Sequence, residues 1–114
     1  MVNVTATKNS LADAWKALGA YVGLATGAPG STATPSNEAS GGSYARVATT
    51  WGSASGGVVT GSAVIINANA ATYSHGLIAS GSSGNNMIDN AALSPSIVLN
   101  AAGQVVVTPS LTIS

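Results

Sequence analysis

Clusters of Gly, Ser, Asn and Pro cut this chain of 114 residues into short apolar and β-branched runs, and that punctuation limits the fold more than any other feature. Tyr21 to Thr26 lies between Gly19 and Gly27, and Tyr44 to Trp51 alternates Tyr44, Arg46, Ala48 and Thr50 with Ala45, Val47, Thr49 and Trp51. Val58 to Asn67 contains Val64-Ile65-Ile66, and Thr72 to Ser80, Met87 to Leu93, Ser96 to Asn100 and Gln104 to Thr108 follow. Short strands at this spacing predict an all-β fold, an antiparallel β-sandwich or jelly roll. Pro95 and Pro109 bracket the last pair of runs, which suits edge or terminal strands because proline cannot donate to a ladder. Ala101-Ala102-Gly103 reads as the tight link of a hairpin between them. Leu111 and Ile113 alternate with Ser110, Thr112 and Ser114, a pattern that suits pairing within the domain or onto a neighbour.

One short N-terminal helix interrupts this pattern. Residues 1–9 read as an extended arm, with Val2 and Val4 on one face, and residues 10–114 as a single β-sandwich domain. Ser10 suits an N-cap, Asp13 lies near the positive end of the helix dipole, and Gly19 suits a C-cap. Leu11, Trp15 and Leu18 recur at helical spacing, so the reading buries all three against a sheet. Trp15 as a sugar-stacking platform is the alternative.

Charge narrows the function. Only 5% of the residues are charged and the net charge is zero, so there is no electrostatic basis for binding nucleic acid or an anionic membrane. So little surface charge protects a free monomer poorly, which points to a surface covered by copies of the chain or by a larger assembly. There is no cysteine, hence no disulfide staple and no thiolate metal site. The N-terminal residues lack a basic region followed by a long apolar one, and no run approaches the ~18 apolar residues of a membrane helix, so neither a signal peptide nor a transmembrane segment is expected.

The residues that carry chemistry are few and scattered. His75 is the single histidine, and Asp13, Glu38 and Asp89 are the only carboxylates, no two of them close in sequence. A lone histidine neither closes a metal site nor acts as a general base without an acid and a nucleophile brought from afar, so His75 reads as a structural, hydrogen-bonded residue. The glycines fall in turns rather than in a nucleophile elbow or a phosphate loop. The expectation is therefore no enzyme, no cofactor, and no catalytic, cofactor-binding or metal-ligating residue. Arg46 reads as half of a structural ion pair with Glu38, the alternative being a contact to another subunit.

The stretch from Tyr21 to Trp51 holds a long polar loop between two strand-like runs, and a loop this long in a small domain reads as a functional arm or mobile segment. Its Tyr21-Val22-Gly23-Leu24-Ala25-Thr26-Gly27-Ala28-Pro29-Gly30 run and its Asn37-Glu38-Ala39-Ser40-Gly41-Gly42-Ser43-Tyr44-Ala45-Arg46 run, with Trp51 following, resemble a small β-rich structural domain of tailed bacteriophages. That family is common in phages of actinobacteria and is described as tail fibre or minor tail protein. The resemblance continues through Ser74-His75-Gly76-Leu77, the Gly81 to Gly84 turn and the closing strands. Ala25 and Ala28 stand where many relatives carry His and Asp, and Ile78 where many carry an aromatic, which weakens a ligand role for the first loop.

The resemblance implies a structural virion protein, made in the host cytoplasm and assembled by self-association and docking. The primary expectation is a capsid decoration protein, a homotrimer on the capsid exterior that reinforces the shell through contacts with the major capsid protein. The size and the absence of a shaft repeat, sustained heptad or collagen-like period favour that placement. The alternative is a tail-fibre or tail-tip subunit, with tail proteins as partners. A third reading, a carbohydrate-binding β-sandwich, needs Trp15, Tyr44 and Trp51 clustered on the surface.

Overall fold

Strand β1 (Tyr21–Ala25) runs through the interior with four of its five residues buried, as expected of an apolar run with strands on both edges. The computed structural model describes residues 2–113; Met1, the first residue of the expected arm, and Ser114, the last of the C-terminal alternation, lie outside the described residues. The other elements are helix α1 (Thr5–Lys16), β2 (Val47–Ala48), β3 (Val58–Thr60), β4 (Val64–Ala68), β5 (Ala71–Ala79), β6 (Met87–Leu99), β7 (Gly103–Val107) and β8 (Ser110–Thr112). All strand pairs are antiparallel. A four-stranded sheet has the order β2-β1-β5-β6, and two-stranded sheets pair β3 with β8 and β4 with β7. This is the expected all-β sandwich with one N-terminal helix.

The main core lies where alternate residues of these sheets meet. Val22 and Leu24 of β1, Tyr73 and Ile78 of β5, Val64, Ile66 and Ala68 of β4, and Val105 of β7 form one buried cluster. Each large aliphatic side chain buried there contributes roughly 1.5–3 kcal/mol. Ala25, Leu77, Ala79 and Met87 form a second cluster. Gly23 is required between the two: a Cβ there would lie 2.6 Å from Tyr44 Oη and 2.9 Å from Leu77 Cδ1.

Four local expectations are corrected. The helix begins at Thr5, with Val4 at its N-cap, so residues 5–9 are helical rather than an extended arm, and Ser10 lies mid-helix. The early start is held by tertiary contact, Gly57 N–H donating to Asn9 Oδ1 at 2.8 Å. Ala17, not Gly19, occupies the C-cap. Gly19 serves close packing instead, since a Cβ there would meet Ala79 O at 2.5 Å. The helix is also turned: Ala12 is fully buried and Trp15 half-buried, while Leu11 and Leu18 are 45% and 58% exposed. A small residue at the point of contact lets the helix approach the strands more closely than a leucine would permit.

Among the strands, only Val47–Ala48 of the Tyr44–Trp51 run joins the sheet, opposite Val22 and Tyr21. The flanking Arg46 and Thr49 direct their polar groups into side-chain hydrogen bonds. Val58 to Asn67 divides into β3 and β4, which belong to different sheets. Met87 to Leu99 is one strand rather than two, because β6 is a sheet edge where the missing Pro95 N–H has no ladder partner to lose. The register shift opposite Ser74, from Tyr73↔Ile97 to His75↔Ala92, absorbs the irregularity. The expected closing hairpin does not form: β6 pairs with β5, and β7 pairs with β4, where Val105 joins Val64 and Ile66 in the core. β8 pairs with β3, so the C-terminal alternation is used within the domain.

Candidate functional site

The Tyr21–Trp51 loop is folded back on the sheet rather than projecting as an arm. Asn37 takes a left-handed backbone (φ 61°), and its carbonyl accepts the Thr26 N–H at 3.0 Å while its side-chain amide donates to Ala28 O at 3.1 Å. Farther out, Met87 N–H donates to Ala33 O at 3.0 Å and the Asn90 amide donates to Gly30 O at 2.9 Å, tying the loop to β6. Pro29 at its tip is fully buried.

Arg46 holds the base of this loop. Its side chain is almost completely enclosed, and each of its N–H directions finds an acceptor. Nε donates to Glu38 Oε2 at 2.7 Å and Nη2 to Glu38 Oε1 at 2.8 Å, a bidentate pair. Nη1 donates to Gly81 O at 3.0 Å and Asn86 Oδ1 at 2.7 Å, and Nη2 also donates to Gly84 O at 3.0 Å. Tyr44 completes the group: its hydroxyl donates to Glu38 Oε2 at 2.8 Å and accepts the Leu24 N–H at 3.1 Å.

These contacts set the ionisation of the group. Burial pushes the Glu38 carboxyl up, but the hydrogen bonds from Arg46 and Tyr44 and the Arg46 charge outweigh it, leaving Glu38 below its ordinary value of 4.5. The Glu38 hydrogen bonds hold the Arg46 guanidinium above its ordinary value. Burial is the largest cause raising the Tyr44 hydroxyl, so it stays protonated and able to donate. The Arg46–Glu38 ion pair expected from sequence is present, and a guanidinium saturated in this way has no donor left for another subunit. The acceptors at Gly81, Gly84 and Asn86 escaped sequence reasoning; the one available signal is that an arginine has five donors and a carboxylate satisfies only some of them.

The aromatic residues form no sugar platform. Trp15 and Trp51 are half-buried and pack edge to face, ring centroids 5.2 Å apart at 67°. The Trp51 indole N–H donates to Gly19 O at 2.9 Å, the Trp15 indole N–H to Asp89 Oδ2 at 3.2 Å, and both rings lean on the main core. Tyr44 sits in the arginine group. Because each polar tip is held by the protein's own groups, the carbohydrate reading loses its basis. His75 lies in β5 opposite Ala25 and Ala92, its Nδ1 2.8 Å from Ser74 Oγ. Among the described residues, no group of three or more His, Asp or Glu side chains converges. An open groove of about 310 Å³ runs between the β5–β6 face and the β7–β8 segment, lined by Trp15, Val22, Asp89, Leu93 and Leu111 among others.

What the surface does display is apolar side chains. Val4, Leu11 and Leu18 stand out along the helix, and Ile65 and Val106, register partners across β4 and β7, stand out from that sheet. No described helix is long and apolar enough to cross a membrane.

A family model described as podophage GP4 fiber I protein gp80 matches residues 5–113. No curated protein and no solved structure matches the chain. The family match supports the phage fibre-type domain that the motifs pointed to and gives no support to the narrower actinobacteriophage grouping.

Proposed function

The chain belongs to the podophage GP4 fiber I protein family, and on that premise we propose that it is a tail-fibre-type structural subunit of the virion that acts by self-association as a homotrimer and by docking, not by catalysis. The observation that carries this reading is the extent of the family match, which takes in the helix, every strand and the arginine-held loop. The surface is consistent with it. Charged residues make up 5% of the chain, and large aliphatic side chains lie open on two separate faces. Both features suit a chain whose surface is covered by neighbours.

The test is the copy number per purified virion, measured by quantitative mass spectrometry against the major capsid protein. A few copies per particle is the result expected of a tail fibre. A ratio near one to one, or one trimer per local three-fold, would overturn the tail placement and put the protein on the head as capsid decoration.

A further inference from the structure

Helix α1 has two faces, and the protein's own fold uses only one. The inner face carries Lys8, Asn9, Ala12, Trp15 and Lys16, the half-buried and buried positions of the helix. On the outer face, Val4, Thr7, Leu11, Ala14 and Leu18 are all exposed, at successive spacings of three and four residues. Val4 is the N-cap and Leu18 immediately follows the C-cap, so the stripe runs the whole length of the helix, roughly 20 Å at 1.5 Å per residue. Val4 and Leu18 are 61% and 58% exposed. This spacing is the a/d register of a helix seam, with Val or Leu in every a layer and a small residue, Thr7 or Ala14, in each d layer.

We infer that this stripe is the seam through which copies of the chain associate, with the α1 helices lying parallel about a common axis. The inference deepens the proposed self-association and rests on it. An a/d stripe is complementary to another helix rather than to a sheet or a flat surface, and small side chains in the d layers let two helix backbones come close. The one polar member, Thr7, fits such a seam, because a helical threonine hydroxyl finds an acceptor in a carbonyl one turn back and turns its methyl group to the neighbour.

Charge favours an identical helix as the occupant. The positions beside the stripe include Ser10 and Ala17, which are uncharged, and Lys8, whose side chain turns inward against Gly57 of its own domain. Asp13 and Lys16 pair with each other at 3.0 Å. Identical helices therefore meet in parallel without opposing like charges, whereas a charged partner helix would find no counter-charge along the seam. Closure about a three-fold axis sets the helices parallel and brings each Val4, Leu11 and Leu18 layer onto its equivalents.

The full chain has no cysteine, so a single introduced thiol reports on the seam. Sedimentation equilibrium is expected to give three times the 11.0 kDa chain mass for the parent and one chain mass for Leu11→Lys, with unchanged far-ultraviolet circular dichroism. Under mild oxidation, Val4→Cys alone is expected to form a covalent dimer of chains. A parent that sediments at one chain mass would overturn the self-association reading itself. A trimeric parent whose Leu11→Lys variant is also trimeric would overturn only the seam. Failure of Val4→Cys to cross-link alone, with cross-linking when it is mixed with Leu18→Cys, would overturn the parallel arrangement. The cross-link is read in an otherwise parental surface, so the inference stays open to refutation even if Leu11→Lys folds poorly.

Discussion

Truncating Arg46 to alanine would leave the Glu38 carboxylate without its bidentate partner and strip acceptors at Gly81, Gly84 and Asn86 of their donor in one step. Removing one partner of an enclosed ion pair costs about 3–5 kcal/mol, so Arg46→Ala should lower stability by about 3 kcal/mol in urea unfolding, whereas a rim arginine would change it by less than about 1 kcal/mol. The same group gives a pH dependence of definite sign. Because Glu38 titrates lower in the folded protein than its ordinary 4.5, the unfolded chain takes up the proton first. Its contribution is complete above about 4.5 and is lost as the pH falls through the depressed folded value. Urea midpoints measured from about pH 6 to about pH 2.5 should decline in that window for the parent, and Glu38→Gln should flatten the decline.

At the scale of elements, the helix and the strands succeed or fail by what they pack against. Trp51, outside any long strand, holds the helix end to the body through its bond to Gly19 O and its edge-to-face contact with Trp15. Trp51→Ala is expected to destabilise by about 3 kcal/mol, and a melting curve equal to the parent's would contradict that packing role. Strand existence was legible wherever a run was bounded by glycine, as at Tyr21–Ala25 and Ala71–Ala79, because turn chemistry is local. Pairing was not legible. Nothing local indicates that β7 leaves its neighbour β6 for β4; the choice follows from where Val105 is buried. The a/d spacing of Val4, Thr7, Leu11, Ala14 and Leu18 was present in the sequence, yet assigning residues 1–9 to an arm and Leu11 and Leu18 to the core hid it. A leucine at helical spacing does not say which of two faces it serves.

For the whole molecule, the principal extents of 46 × 23 × 22 Å describe an elongated body with apolar side chains on both the helix and the β4–β7 sheet. Virion copy number is the measurement that places such a body at the tail or on the head. The sequence by itself determined the fold class, the turn positions, the Arg46–Glu38 pair and the scarcity of charge, since each follows from residue type and short spacing. Tertiary structure alone decided which strands pair, that the central loop lies back on β6, and that the helix buries Ala12 and leaves Leu11 and Leu18 outside. Those outcomes depend on close packing between segments far apart in the chain, where the volume of one side chain fixes how near another element comes.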